Sequence, residues 1–286
     1  KIHFQKAALA YLVYFRRIKY IAMNKKGMYL VLSSVLSILF FTNAAAQNKE
    51  NNREFYELKL YHFTSSAQEA VLDNYLSQAY IPALHRAGIQ HIGAFKPLSN
   101  DTASGKRLYV LIPLSTMEQL LTLPQQLQKD AAYVNLAKPY SDAVYNNPPY
   151  SRMESILLQA FRLAATSALP VLKSAKKERV YELRSYESPT EKLNLNKVHM
   201  FNEGGEIPLF KRLGFNAIFY GEVIAGSHMP NLMYMTSFEN LADREPHWQT
   251  FRADAEWKAL SAKPEYKNNV SKNEQILTHP TDYSDY

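Results

Sequence analysis

Cysteine is absent from the 286-residue chain, so it can form no disulfide, thiolate metal site, catalytic thiol or lipid-bearing cysteine, and the fold must stand on packing alone. Acidic residues are absent from the first 46 positions, where Lys1, Lys6, Arg16, Arg17, Lys19, Lys25 and Lys26 are the only charges. The formal excess of +7 therefore lies wholly in that leader, and the remainder balances 26 bases against 26 acids. A balanced body lacks the electrostatic footprint that phosphate backbones demand, so no nucleic-acid partner is expected. The cluster Lys173, Lys176, Lys177 and Arg179 carries no interleaved aromatic and reads as a solvated linker. Also missing are Gly-x-Ser-x-Gly, a phosphate-cradling glycine loop and His-x-x-x-His, so no short string names a reaction. His199 and Glu203, four apart on an expected helix, read as a surface contact, and neither a metal nor a cofactor is expected.

The leader has the parts of a secretory signal. Met23-Asn24-Lys25-Lys26-Gly27 is a basic start, Met28 to Phe41 an apolar run, and Ala44-Ala45-Ala46 a small-residue cleavage site. Ser33, Ser34, Ser37 and Asn43 interrupt a run already shorter than the roughly 20 residues of a membrane span. Residues 23–46 are thus expected to be a signal peptide, and residues 1–22, with no Met at position 1, a non-native upstream extension. The expected location is the periplasm of a Gram-negative bacterium or the outside medium, with no membrane span left after cleavage.

What is present is one module written twice. Phe55-Tyr56-Glu57-Leu58-Lys59-Leu60-Tyr61 returns as Val180-Tyr181-Glu182-Leu183-Arg184-Ser185-Tyr186, and Ile81-Pro82 to Gly88 returns as Ile207-Pro208 to Gly214. Leu108 to Leu114 matches Leu232 to Phe238, and Asp130-Ala131-Ala132-Tyr133 matches Asp254-Ala255-Glu256-Trp257. The offset stays between 124 and 126, far longer than a solenoid repeat of roughly 20 to 50 residues and equal to one small domain.

Each copy opens on an alternating strand. A helix follows, with a capping-box spacing at Ser66-Ala67-Gln68-Glu69, a kink at Pro82 or Pro208, and a closing glycine at Gly88 or Gly214. Strands are expected at Ile89 to Phe95 and Leu108 to Pro113, and at Phe215 to Gly221 and Leu232 to Thr236. A second helix starts at Ser115-Thr116-Met117-Glu118; its counterpart runs from about Phe238, with a break near Pro246 and a restart at Asp254. Last strands lie near Arg152 to Leu158 and Lys272 to Thr278. The order β-α-β-β-α-β is the ferredoxin-like unit, a sheet with one bare face. The expected fold is α+β: two tandem ferredoxin-like domains, 54–160 and 179–278, joined by the linker 161–178 and followed by a tail, 279–286. They would press their bare faces together as a pseudo-symmetric dimeric α/β barrel within a single chain. A monomer with an intramolecular pseudo-dimer follows.

These residues resemble the NIPSNAP family. Tyr181-Glu182-Leu183-Arg184-Ser185-Tyr186, Pro208-Leu209-Phe210-Lys211-Arg212-Leu213-Gly214 and Phe251-Arg252-Ala253-Asp254-Ala255-Glu256-Trp257 carry the resemblance, the last with Ala255 where the family has proline. Residues 54 to 160 resemble it more loosely, and Ala132 stands where the second copy has Glu256. The resemblance implies the dimeric α/β barrel fold and leaves activity open.

If Tyr181 and Leu183 face the helices, the alternation sends Glu182, Arg184 and Tyr186, with Glu57, Lys59 and Tyr61, into the barrel interior. A concave space with convergent polar groups is the default ligand site, while a structural ion pair between sheets is the plainer alternative. Two functional classes follow: a non-catalytic module of the bacterial envelope that binds a small organic ligand or another protein, or an oxygenase-like or haem-handling enzyme using the inter-sheet cavity. For haem, His62 or His85 would be the candidate ligand. Aromatic His247-Trp248 and Trp257 are expected to pack the second helix on its sheet, with Asp254 capping its restart.

Overall fold

The computed structural model describes residues 53–286. Both leader segments, 1–22 and 23–46, lie outside them. The first half runs β1 (Phe55–Phe63), α1 (Ser66–Asn74), a π-helical turn (Tyr75–Tyr80), α2 (Ile81–Arg86), β2 (Gly93–Pro97), β3 (Lys106–Leu114), α3 (Met117–Gln128), α4 (Ala131–Leu136), α5 (Lys138–Ser141) and β4 (Arg152–Ala160). The second half runs β5 (Val180–Glu187), α6 (Glu191–Asn202), α7 (Glu206–Arg212), β6 (Asn216–Ala225), β7 (Asn231–Phe238), α8 (Leu241–Ala253), α9 (Ala255–Ala262) and β8 (Lys272–Pro280).

The eight strands close into one antiparallel barrel in the order β1-β3-β2-β8-β5-β7-β6-β4. Within each half the ladders are long, from Phe55↔Leu114 to Phe63↔Lys106 and from Val180↔Phe238 to Glu187↔Asn231. The seams between halves are shorter. One spans Phe95↔Pro280 to Pro97↔Thr278; the other spans Leu157↔Ala225 to Ala160↔Gly221 and shifts register between Leu157 and Leu158. Closure leaves no exposed sheet edge, which is how a barrel avoids pairing with other chains.

Local chemistry explains the ends of the elements. Ser65 and Thr190 accept from Gln68 N and Leu193 N, and Thr116 and Asn240 accept from Gln119 N and Asp243 N. The first-half boxes sit one residue from their expected places: Gln68 Oε1 accepts from Thr64 N, and Gln119 Oε1 from Ser115 N. Gly88 and Gly214 have φ of +85° and +77°. Each ends its helix in the left-handed turn that only glycine adopts freely, and Ile89 N and Phe215 N donate back to Leu84 O and Phe210 O. Pro208 falls in the first turn of α7, just after the left-handed Gly205, where its missing N–H costs nothing; Pro82 follows the π-helical turn directly, within continuous helix.

Several expectations are corrected. Pro246 does not break its helix; α8 runs unbroken from Leu241 to Ala253. The break comes at Asp254, whose Oδ1 accepts from Glu256 N and Trp257 N and starts α9. In the first half the second strand begins at Gly93 rather than Ile89, because Ile92 gives its backbone N–H to the Asp285 carboxylate instead of to a ladder. That contact also changes the reading of 279–286. Its first residues complete β8, Thr281 N and Asp285 N donate to Ala94 O and Ile92 O, and Tyr286 is buried against Phe95 and Tyr181.

The largest correction concerns the faces of the strands. The barrel centre is filled by Tyr56, Leu58, Phe95, Leu111, Leu158, Tyr181, Leu183, Phe219 and Met235, drawn from both halves and nearly all inaccessible. Tyr181 and Leu183 therefore point into the barrel, and Glu182, Arg184 and Tyr186 point outward under the helices. Glu57, Lys59 and Tyr61 do the same on their own side. The physical reason is that the interior of an eight-stranded barrel is just wide enough to be filled by side chains, and the side chains filling it here bring no charge to pair with a buried ion. The more apolar row goes there, and the charged row meets helices that bring it partners. Among the described residues, no helix is long and apolar enough to cross a membrane.

Candidate functional site

Each half holds a cleft between the outer face of its sheet and its helices. The second-half cleft has a volume of about 540 Å³, the first-half one about 240 Å³. The two can be compared position by position, since the helix caps fix the register of each copy.

In the second half, β5 alternation places Glu182 and Arg184 on the cleft floor, with Tyr186 beside them. The Glu182 carboxylate is fully inaccessible and accepts from both helical and strand donors: Arg184 Nε at 2.7 Å, Arg244 Nε at 2.7 Å, Arg244 Nη2 at 2.9 Å and Trp248 Nε1 at 2.7 Å. Burial pushes this carboxyl up, but the Arg244 hydrogen bonds and the charges of Arg184 and Arg244 outweigh it and hold it below its ordinary value. The Arg184 guanidinium lies 3.7 Å from the centre of the Trp248 ring and donates to Tyr186 Oη at 3.2 Å. Burial opposes its charge, yet Tyr234, Tyr186 and Glu182 keep it firmly protonated. The Tyr186 and Tyr234 hydroxyls share a hydrogen bond of 2.8 Å.

The helices add a second charged pair. Lys197 of α6 is 6 % exposed and Glu206 of α7 is 2 % exposed, and Lys197 Nζ donates to Glu206 Oε2 at 2.7 Å. Burial pushes the Glu206 carboxyl above its ordinary value despite the opposing Lys197 charge. Lys197 Nζ also lies 4.6 Å from the centre of the Phe201 ring. Phe251 and Trp257, whose ring centres are 4.5 Å apart, form the apolar wall.

The first half is an internal control. Leu72, seven residues after the Ser65 cap, occupies the place of Lys197, seven after Thr190; Tyr80, just before Ile81-Pro82, occupies that of Glu206. Leu120 and Pro124 stand for Arg244 and Trp248, counted from the caps Thr116 and Asn240. Glu57 keeps only Lys59, at 3.1 Å, and the Ser155 hydroxyl, at 2.7 Å. Tyrosines take up the rest of the space: Tyr75 stacks on Tyr140 at 3.7 Å, and its hydroxyl bonds that of Tyr133 at 3.2 Å. The same scaffold therefore packs well with apolar and phenolic groups where the second half buries charge. Burying a charge is costly even when it is paired, so a purely structural origin for Lys197, Glu206 and Arg244 has the first half as its counterexample.

All six sequence-predicted site residues line these clefts or the floor beneath them, three in each, and the two trios do not meet. Lys197, Glu206 and Arg244 were missed because none belongs to a repeated string. The signal was in the comparison of copies, a charge at three places where the other copy is apolar or aromatic. Trp248 and Trp257 pack as expected, and they also border the cleft. Of the histidines, His62 Nε2 lies 2.7 Å from Glu154 Oε1, His85 Nε2 lies 2.9 Å from Asp285 Oδ2, and His199 Nδ1 is bonded to the Tyr266 hydroxyl at 2.9 Å.

An eight-stranded antiparallel α/β barrel defines the fold class, and structural comparison agrees on the fold. The chain is similar in fold to a Lactobacillus acidophilus protein that carries the provisional name of monooxygenase, with 11 % identity, a TM-score of 0.52, and coverage of 80 % of this chain and 94 % of that one. A Fusobacterium nucleatum protein with the same provisional name gives 7 % identity, a TM-score of 0.50, and coverage of 80 % and 92 %. At such identities the likeness is one of fold alone. A NIPSNAP family protein of Agrobacterium tumefaciens is 23 % identical over 37 % of this chain and 97 % of its own, with a TM-score of 0.34. No curated protein matches the chain. Residues 181–285 match the NIPSNAP family model. The second half, which holds the charged cleft, thus carries a NIPSNAP domain.

Proposed function

We propose that the protein is a non-catalytic binding module of the bacterial envelope that holds a small organic molecule in the second-half cleft. The observation that carries this reading is the buried Lys197–Glu206 pair beside the Arg184–Glu182–Arg244 group, set where the first half places Leu72, Tyr80 and Leu120. A cleft of about 540 Å³ is within the range that takes drug-sized ligands, and an aromatic wall with a few fixed polar groups is the usual lining of such sites. The two halves are read as tandem ferredoxin-like units, the first keeping the scaffold and the second the site. Export rests on the signal-like segment 23–46. The oxygenase-like alternative placed its chemistry between the sheets, and the apolar filling of the barrel centre counts against that location.

The test is native mass spectrometry of the protein purified from its own cell envelope, paired with tryptophan fluorescence. The chain has two tryptophans, Trp248 and Trp257, and both border the cleft. Occupancy should therefore change the emission, and denaturing the complex should restore it. A protein that carries no small molecule, and whose emission is unmoved by any member of a broad metabolite panel, would refute the reading.

A further inference from the structure

The first half balances its floor one to one, Lys59 against Glu57. The second half does not. Two guanidiniums, Arg184 and Arg244, converge on the single Glu182 carboxylate, which leaves this group with one unit of positive charge. The neighbouring carboxylates do not offset it. Glu245 is bound to Arg252 at 2.7 Å and stands 3.5 Å from Arg244, and Glu206 is bound to Lys197. Four bases thus face three carboxylates around one cleft.

Both guanidiniums retain donors that Glu182 does not use. Arg184 spends Nε and one Nη2 hydrogen on Glu182 and one Nη1 hydrogen on Tyr186, and Arg244 spends Nε and one Nη2 hydrogen on Glu182 and one Nη1 hydrogen, at 3.5 Å, on Glu245. A guanidinium has five N–H groups in a fixed fork, so each has donors left beside the open space. Facing them, the Phe251 and Trp257 rings present flat apolar surface. The side chains of Arg184 and Arg244 are only 10 % and 16 % exposed, so little bulk water screens the residual charge.

We infer that the cleft takes an organic monoanion with a flat apolar body, its carboxylate or equivalent oxyanion received by the spare donors of Arg184 and Arg244 and its body laid against Phe251 and Trp257. This rests on the binding function proposed above and adds the chemical class of the ligand. Charge-assisted hydrogen bonds from a guanidinium are about twice as strong as neutral ones. A net contribution of about 1.5 to 3 kcal/mol for such bonds corresponds to roughly a tenfold to hundredfold preference for the anion over a neutral isostere.

The experiment compares 2-naphthoate with 2-naphthamide, matched in shape and differing in charge, by calorimetry and by tryptophan emission. The wild-type protein should bind the naphthoate at least tenfold more tightly. Arg244→Leu restores the first-half balance of one base to one acid, so it should remove most of that preference; Arg244→Lys keeps the charge and should retain it. Circular dichroism confirms that both variants are folded; if Arg244→Leu is not, Arg244→Gln, which removes the charge but keeps a donor for Glu182, should show the same loss of preference. Equal or tighter binding of the amide, an undiminished preference in folded Arg244→Leu, or no binding of either probe would overturn the charge inference. A neutral molecule retained in native mass spectra would overturn it while leaving the binding reading intact; an empty cleft with no response to any ligand would bring down both.

Discussion

Replacing Lys197 alone and replacing it together with Glu206 should have opposite effects. At 2.7 Å the pair attracts by roughly 6 kcal/mol at an effective dielectric of about 20, a gain largely offset by the cost of stripping water from both groups. Lys197→Met fills similar space but leaves the Glu206 carboxyl buried without its counter-ion, and such a change costs about 3–5 kcal/mol. For a chain of this size each kcal/mol moves the melting temperature by about 2–4 °C, so a fall of roughly 6–20 °C is expected. The loss should also depend on pH. Burial already raises the Glu206 carboxyl, with Lys197, Arg184, Tyr220 and Tyr234 as the other titratable or charged groups facing it. A raised carboxyl favours the folded state below its unfolded value and loses that contribution as pH climbs through the folded one. The variant should therefore be less impaired near about pH 5 than near about pH 8. Lys197→Met/Glu206→Leu removes both charges and repeats the apolar solution of the first half, so it should match or exceed the wild type, by up to about 4 kcal/mol. Differential scanning calorimetry and urea titration at both pH values measure this, and ligand binding in the double variant should be weakened. A single variant as stable as wild type, or a double variant less stable than the single, would refute the idea that this pair sacrifices stability for a task.

Glu182→Gln should destabilise by roughly 3–5 kcal/mol, since two buried guanidiniums lose their shared partner, whereas Glu57→Gln should cost about 1 kcal/mol because Lys59 reaches solvent; urea midpoints compare them. Because the folded state holds Glu182 below its ordinary value of 4.5, its stabilisation is present above that value and is lost as pH falls through the folded one, so Glu182→Gln should show a flatter acid limb of stability against pH. Asp254→Ala removes the cap that receives Glu256 N and Trp257 N and should cost about 1–2 kcal/mol, read from the same midpoints. Light scattering on the purified protein should give the mass of one chain, as expected when both halves of the barrel are present in cis; a stable dimer would contradict that.

The repeat, the glycines ending α2 and α7, and the Asp254 cap were legible because each depends on a short stretch of chain. A left-handed turn asks for glycine at one place, and a helix start asks for an acceptor two or three residues ahead of an unpaired N–H. The facing of β1 and β5 was not legible. Alternation says that Tyr181 and Leu183 share a side and that Glu182 and Arg184 share the other, but the decision between barrel centre and helix layer depends on Arg244 and Trp248, some sixty residues away. Pro246 misled for a related reason: proline forbids one donor and crowds the preceding turn, but this helix absorbs it in its interior without a break. The cleft was half visible. Glu182, Arg184 and Tyr186 lie in a repeated string, and Lys197, Glu206 and Arg244 emerge only when the halves are superposed on their caps.

A barrel assembled from two copies of one polypeptide carries every substitution twice, so a change that helps one cleft must be tolerated in its twin. Here the stretch between β4 and β5 ties both halves into one reading frame, and each can drift independently. Equivalent positions counted from the helix caps carry Leu72, Tyr80 and Leu120 on one side and Lys197, Glu206 and Arg244 on the other, so one frame holds two clefts of unlike chemistry without either having to match its twin.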